Sequence, residues 1–182
     1  MKKNKLISNI ISIVINILIG FVIILIIFNL ILSTKSKLGN DSLPNIFGYK
    51  FLVELSDSMA PTINAGDLLI IKDMKNKNYQ KGDIISYRYS DDVIVTHRIK
   101  NVYKRNNNEC YKTKGDNNDS YDTTLVKVSQ VEGKLVLNLK RIGNFCMFLT
   151  SGIGLVTVFL VIVVLFLIDY FIYKIRVDER LF

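Results

Sequence analysis

The sequence has few of the residues that build metal sites and disulfide frameworks. Its 182 residues include two cysteines, Cys110 and Cys146, and one histidine, His97. Because there is no Cys-x-x-Cys pair and no cluster of histidine with cysteine, a zinc site is not supported, and neither a metal nor another cofactor is expected. Cys110 lies in the central part of the chain and Cys146 at the start of an apolar segment, which argues against a disulfide bridge.

Clusters of basic residues are also missing from the central part of the chain. Between Ser33 and Asn144 there are 18 lysines and arginines against 13 aspartates and glutamates, scattered along the sequence. No helix carries a run of positive charge, so nucleic acid is not an expected partner. A weak attraction to anionic lipid headgroups is the simpler explanation of the excess charge.

Charges are absent from two long apolar segments, Leu6–Leu32 with 27 residues and Phe145–Ile168 with 24. A helix needs about 20 apolar residues to cross a bilayer, so both segments are predicted to span one. The first is longer than the apolar region of a cleaved signal peptide, which has about 7–15 residues, and no small-residue cleavage site follows it. The sequence therefore predicts an uncleaved anchor at this end.

The charges at the two termini predict the topology. Three basic residues precede the first apolar segment and three follow the second: Lys2, Lys3, Lys5, Lys174, Arg176 and Arg180. The positive-inside rule then puts both termini in the cytoplasm, in a two-pass protein of the cell membrane. The predicted organisation is a cytoplasmic N-terminus (1–5), a transmembrane helix (6–32), an extracytoplasmic β-rich domain (33–144), a second transmembrane helix (145–173) and a cytoplasmic tail (174–182).

The central domain is rich in strand patterns bounded by turn residues. The predicted strands are Tyr49–Leu55, Gly66–Lys72, Gly82–Tyr89, Val93–Lys104 and Gly133–Leu139. A Gly-Asp pair opens two of them, where glycine supplies a turn conformation and aspartate is expected to bond backbone two residues further on. Because no amphipathic helical pattern of useful length separates the strands, the predicted fold is an antiparallel β domain between two membrane helices.

Three groups of residues in this domain could perform chemistry. His97 shares a strand face with Val93, Val95 and Ile99, so it is expected to face the apolar side of the sheet, as structural histidines commonly do. Ser56 and Ser58 lie in the turn sequence SDSMAP, and a serine is a weak nucleophile unless a base is adjacent. The loop TKGDNNDSYD offers carboxylates that could orient a histidine, although it is equally typical of a solvated turn. Its candidates are Asp116, Asp119 and Asp122.

Four segments in this order, SDSMAPTINAGDLLII, KGDIISY, VTHRI and TKGDNNDSYD, resemble type I signal peptidases. The resemblance covers about Leu55 to Asp122. It is to the endoplasmic-reticulum and archaeal-type subgroup, which also occurs in some Gram-positive bacteria and has histidine where the usual bacterial enzymes have lysine. Each motif is weak alone, whereas four in order are highly specific.

The resemblance implies roles for particular residues. Ser58 would be the nucleophile, His97 the general base and Asp122 its partner, with Asp116 as an alternative or supporting carboxylate. The backbone of Ser58, with help from Ser56, would form the oxyanion hole. This chain departs from the family at two positions of the serine turn, with Asp57 for glycine and Ala60 for glutamate. Asp57 is expected to tolerate a left-handed conformation there, and if it faced His97 it would favour the charged imidazole.

The function implied is that of a membrane-bound serine endopeptidase that removes signal peptides from exported preproteins. Its partners would be the signal peptides, the lipid bilayer and the secretion machinery. Two alternatives remain open from the sequence. One is a membrane-tethered peptidase of related fold with a different substrate, and the other is a non-catalytic β-rich binding or assembly protein.

Overall fold

The computed structural model describes residues 9–24, 26–27, 43, 45–74, 78–105 and 108–178. The chain divides into two compact units. Ser33–Cys146 forms the first, and Met1–Leu32 with Met147–Phe182 forms the second. The β-rich domain predicted from the sequence covers residues 33–144.

One antiparallel sheet makes up most of the first unit. Within the described residues it has eight strands: β1 (Asn45–Ile46), β2 (Tyr49–Val53), β3 (Leu68–Lys72), β4 (Ile84–Ser90), β5 (Val93–Arg105), β6 (Asn108–Lys114), β7 (Val126–Lys127) and β8 (Val131–Leu139). They lie side by side in the order β1-β2-β3-β8-β4-β5-β6-β7. All of the pairings are antiparallel, which confirms the predicted fold of the domain.

Strand β8 joins the two halves of this sheet. Its first residues pair with β4 and its later residues pair with β3. Lys134 belongs to both pairings, because it lies opposite Ile85 of β4 and Lys72 of β3. Neighbouring residues of a strand point to opposite faces. Ile84 and Ile85 of β4 accordingly belong to two different hydrophobic clusters. The candidate residues lie beside these clusters.

The two Gly-Asp pairs have the same local structure. Gly66 and Gly82 adopt φ angles of 87° and 97°, which only glycine adopts without strain. Each following aspartate accepts a hydrogen bond from the backbone N–H three residues earlier, rather than bonding two residues further on as the sequence predicts: Asn64 N to Asp67 (3.1 Å) and Gln80 N to Asp83 (3.0 Å).

The second unit is built from apolar helices. Helix α1 covers Asn9–Ile24, and the other residues of the predicted 6–32 segment lie largely outside the described residues. The predicted 145–173 segment contains a break, with α2 at Ile142–Thr150 and α3 at Gly152–Asp178. The hydroxyl of Ser151 accepts a hydrogen bond from the backbone of Gly154 at 3.0 Å, which caps the start of α3.

Within the described residues, one helix is long and apolar enough to cross a bilayer. It is Gly152–Ile175, with 24 residues and a mean hydropathy of 2.9. The hydroxyl of Ser12 in α1 donates a hydrogen bond to the carboxylate of Asp169 in α3. The second unit therefore contains a polar contact between its N-terminal and C-terminal helices.

Candidate active site

His97 and Asp122 form a hydrogen-bonded pair in the β domain. His97 lies on β5 opposite Ile85 of β4, and it is 6% exposed. Its Nδ1 atom is 2.7 Å from Oδ2 of Asp122, which lies in the loop after β6. As predicted, His97 faces the apolar side of the sheet, and there its ring packs edge-on against Tyr87 at 6.5 Å between ring centres.

Two further side chains hold the Asp122 carboxylate. Thr113 Oγ1 donates to Oδ2 at 2.6 Å, and the Tyr87 hydroxyl donates to the same oxygen at 3.1 Å. The backbone N–H of Asp122 donates to the Thr113 carbonyl at 3.0 Å. Burial alone would raise the pKa of Asp122, but the bonds from Thr113, His97 and Tyr87 and the charge of His97 hold it below its ordinary value.

These bonds determine which nitrogen of His97 is available as a base. With its pKa lowered, Asp122 is ionised at neutral pH and can only accept hydrogen bonds. Nδ1 of neutral His97 must therefore carry the hydrogen of their shared bond. Nε2 is left with its lone pair, which is the form of histidine that takes a proton from a nucleophile. Burial raises the pKa of Tyr87, so its hydroxyl remains a donor.

Ser58 lies in a tight turn after β2. The Asp57 carbonyl accepts a bond from Ala60 N–H at 3.1 Å, and the Met59 carbonyl accepts one from Ile63 N–H at 3.0 Å. Met59 is fully buried and anchors the turn, while Ser58 beside it is partly exposed. The Ser58 hydroxyl is 3.1 Å from Ser56 Oγ, and among the described residues it makes no hydrogen bond to His97. Catalytic hydrogen bonds are often long in unliganded enzymes, so this arrangement is compatible with a nucleophile at rest.

The loop that supplies Asp122 also holds the serine turn. The Asn117 N–H donates to the Ser58 carbonyl at 2.8 Å, and the Asn117 side chain donates to the Asp57 carbonyl at 3.1 Å. A Cβ atom on Gly115 would lie 2.5 Å from the Ser58 carbonyl oxygen, so only glycine fits there. One loop thus contacts both the turn with the candidate nucleophile and the candidate base.

Asp116 has different partners. Both of its oxygens are bonded by Arg98, at 2.6 and 2.8 Å, and Thr62 and Lys100 lie at 2.9 and 3.5 Å. These bonds, chiefly those from Arg98, lower the pKa of Asp116 to about 2 against the opposing effect of burial. Asp116 has no hydrogen bond to His97 among the described residues, so its geometry suits a supporting role rather than that of the histidine's partner.

Asp57 does not have the conformation or the environment that the sequence suggests. Its φ angle is not positive, so the turn does not need a left-handed residue at the position where the family prefers glycine. The exposed carboxylate accepts a hydrogen bond from the Ala65 N–H at 2.9 Å, across the turn. Asp57 therefore stabilises the serine turn, and among the described residues it makes no hydrogen bond or ion pair with His97.

A groove opens next to the His97–Asp122 pair. Strands β4 and β5 form one side of it with Tyr89, Val93 and Val95, and the loop after β6 forms the other with residues that include Asn117 and Tyr121. Tyr87 and Thr113 were not identified from the sequence as part of the site. The alternation of β4 could have indicated Tyr87, because it shares a face with Ile85, which lies opposite His97.

The family model described as Peptidase S24-like matches residues 43–136. This range is just over half of the chain and contains all of the candidate site residues, and the chain belongs to this family. Among similar proteins, Signal peptidase I W of Bacillus subtilis (strain 168) is 35% identical over 131 residues, which are 71% of this chain and 65% of that protein.

Two eukaryotic relatives bear related names. The human signal peptidase complex catalytic subunit SEC11C is 30% identical over 109 residues, covering 59% of this chain and 55% of that protein. The SEC11 subunit of Candida tropicalis is 34% identical over 80 residues, covering 43% and 48%. The chain thus spans less than two thirds of the length of these relatives. Their names confirm the resemblance to type I signal peptidases of the endoplasmic-reticulum type.

Proposed function

We propose that this protein is a membrane-anchored serine endopeptidase that removes signal peptides from exported preproteins. One observation carries the proposal: the loop after β6 donates a hydrogen bond to the Ser58 carbonyl at 2.8 Å and supplies the carboxylate that bonds His97 at 2.7 Å. A serine turn and a buried histidine with a free Nε2 are the parts that acyl transfer requires. Membership of a peptidase family and the names of the relatives support the same reaction.

In the proposed mechanism Ser58 attacks the scissile carbonyl while Nε2 of His97 takes its proton. Asp122 stabilises the resulting imidazolium, and the proton then passes to the leaving amine as the acyl-enzyme forms. Water, activated in turn by His97, hydrolyses the acyl-enzyme. Asp116 supports the site indirectly, because its pairing with Arg98 fixes the residue next to His97 on β5.

The oxyanion would be held by backbone at the serine turn. The N–H of Ser58 has only a long contact, 3.5 Å to Ser56 Oγ, so it is available to a substrate oxygen. The resemblance also gives Ser56 as a donor, but the Ser56 hydroxyl has a partner of its own, Oε1 of Glu54 at 3.0 Å. An extended substrate could lie along the sheet as an added strand, with small residues before the cleavage point.

The proposed anchoring has two membrane helices, with the β domain outside the cytoplasm. Helix α3 is long enough to span a bilayer. For the first helix the support is weaker, because α1 is shorter than α3. It consists of the uncharged sequence from Leu6 to Leu32 and the hydrogen bond from Ser12 to Asp169. Anchoring would raise the local concentration of enzyme relative to a signal peptide that is itself in the bilayer.

The test is cleavage of a preprotein by the full chain reconstituted in vesicles, with the new N-terminus identified by mass spectrometry. A cut after the signal peptide supports the proposal. Mapping the N-termini of exported proteins after depletion in cells tests the substrate class. Unchanged N-termini with altered cleavage of other surface proteins would favour a peptidase with a different substrate, and no cleavage at all would favour a binding protein.

A further inference from the structure

Glu54 is a buried carboxylate that the proposed mechanism does not use. It follows β2 and is 8% exposed. Its backbone is fixed by two hydrogen bonds, from its N–H to the Asp67 carbonyl at 3.0 Å and from the Gly66 N–H to its carbonyl at 2.7 Å. Among the described residues, no lysine, arginine or histidine pairs with the carboxylate. Buried carboxylates normally have such a partner, so this one needs an explanation.

The side-chain partner of Glu54 is Ser56. Oε1 of Glu54 lies 3.0 Å from the Ser56 hydroxyl and 3.4 Å from its N–H. Ser56 Oγ in turn lies 3.1 Å from the Ser58 hydroxyl. Three side chains, spaced two residues apart in sequence, therefore form one chain of hydrogen bonds that ends at the candidate nucleophile.

The direction of these bonds follows from counting hydrogens. A carboxylate only accepts, so the one hydroxyl hydrogen of Ser56 is directed to Glu54. The Ser56 hydroxyl is placed to donate to either neighbour, and with its single hydrogen on Glu54 the 3.1 Å contact with Ser58 Oγ is left to the Ser58 hydrogen. With this direction, the Ser58 hydrogen is turned towards Ser56 and the Ser56 hydrogen is not available to an oxyanion.

We propose that Glu54 is a positioning residue that sets the resting state of the nucleophile through Ser56. The carboxylate holds the Ser56 hydrogen, so Ser58 rests on Ser56 until substrate binding turns it to His97. This inference rests on the proposed function of Ser58. Glu54 touches neither the substrate nor the reacting atoms, and it acts through the orientation of one hydroxyl and through its buried charge.

We therefore expect Glu54 to raise the pKa of the side chain at position 58. Two successive hydrogen bonds put the carboxylate within about 6 Å of the Ser58 oxygen, a distance at which a like charge disfavours ionisation. In Glu54→Gln the charge is gone, and the amide can donate to Ser56 Oγ. The Ser56 hydrogen is then free to stabilise negative charge on residue 58.

The experiment replaces the nucleophile by a thiol in the full chain, through Ser58→Cys in a Cys110→Ser, Cys146→Ser background. The rate of alkylation by iodoacetamide against pH gives the thiol pKa without any need for peptidase activity. Adding Glu54→Gln is expected to lower that pKa by about 1 unit. Asp57→Asn is the matched control, because it removes an exposed charge beside the same residue and is expected to change the pKa by less than about 0.3 units.

A double-mutant cycle tests whether Glu54 acts through Ser56. In a Ser56→Ala background the effect of Glu54→Gln should shrink to less than half. The inference is overturned if Glu54→Gln shifts the thiol pKa equally with and without Ser56. It is also overturned if that pKa shift is below about 0.2 units, or if Asp57→Asn causes a shift of the same size. Thermal melts of Glu54→Gln and of Glu54→Leu establish that a folded variant is being compared.

Preprotein cleavage separates this inference from the proposed function. With Ser58 in place, Glu54→Gln should raise kcat by about two- to fivefold and leave KM unchanged, because the resting bond is weakened and substrate contacts are not. A lower kcat in Glu54→Gln would contradict the inference while leaving the peptidase assignment intact. A thiol pKa that responds as expected in a chain that cleaves no preprotein would contradict only the proposed function.

Discussion

The roles of the two loop aspartates can be separated by one pair of isosteric substitutions. In Asp122→Asn the carboxylate that accepts bonds from Thr113, His97 and Tyr87, at 2.6, 2.7 and 3.1 Å, becomes an amide. The amide removes the charge that stabilises the imidazolium, and it can donate to Nδ1 and so favour the wrong tautomer of His97. In a Ser-His-Asp site this change lowers kcat by about 10⁴-fold, or about 5 kcal/mol of transition-state stabilisation.

Asp116→Asn should instead affect folding. It removes a two-point ion pair with Arg98, at 2.6 and 2.8 Å, in which the pKa of Asp116 is about 2. After allowance for solvent screening, the loss is about 1–2 kcal/mol of stability, or several degrees in Tm. At a temperature where the variant is folded, kcat should stay within about threefold of the parent, because no bond to His97 is lost.

The assay is preprotein cleavage by full-length variants in vesicles, with melting temperature measured on the same samples. Asp119→Asn is the matched control, since Asp119 is exposed in the same loop and should change neither quantity. Equal losses of kcat in Asp116→Asn and Asp122→Asn would refute the assignment of Asp122 as the partner of His97. A large loss in Asp116→Asn alone would reverse the assignment.

Three further predictions concern the surroundings of the site. Gly115→Ala should lower kcat by about tenfold or more with little change in secondary structure. The added Cβ would lie 2.5 Å from the carbonyl oxygen of Ser58, so the serine turn must shift. Cleavage rates and circular dichroism check the two expectations. Tyr87→Phe removes one of the bonds that lower the pKa of Asp122, so the pKa of that carboxyl should rise; NMR titration of the carboxyl checks this, and an unchanged pKa would contradict the role of that bond. Acid should destabilise the domain: the pKa of Asp116 is lowered on folding to about 2, so the stability from its pairing with Arg98 is complete above about pH 4 and is lost as pH falls towards 2. Thermal melts across that range should show a falling Tm, and a constant Tm would contradict this coupling.

Much of the β domain could be predicted from the sequence, because its longer strands alternate and end at glycine or polar turns. The five predicted strands correspond to β2, β3, β4, β5 and β8, and a turn at Asp91–Asp92 joins β4 to β5. The strands that were missed are β1, β6 and β7. Two of them have only two residues, and β6 (Asn108–Lys114) is polar enough to resemble a loop. β1 and β6 pair with the strands next to them in the chain, β2 and β5, so these strands form through pairing rather than through an apolar pattern of their own.

The sequence predicts the individual residues of the candidate site, but it does not predict which of them are hydrogen-bonded to one another. Motif order predicted Ser58, His97 and Asp122 together, and it left the choice between the aspartates open. Choosing between them depends on tertiary geometry, since both follow β6 within eight residues and only Asp122 reaches His97. The chain from Glu54 to Ser58 has no sequence signature, because a glutamate two residues before a serine is ordinary. Glu54 is singled out only by its burial in the folded domain, which the sequence does not predict.

The most direct test of the central claim compares Ser58→Ala, His97→Ala and Ser56→Ala in cleavage of one preprotein by the full chain in vesicles. We expect the first two to lower kcat by at least about 10³-fold without a change in Tm larger than a few degrees. Ser56→Ala should retain measurable cleavage, because the Ser58 N–H remains to bind the oxyanion. Near-normal cleavage by Ser58→Ala or by His97→Ala would contradict the proposed mechanism.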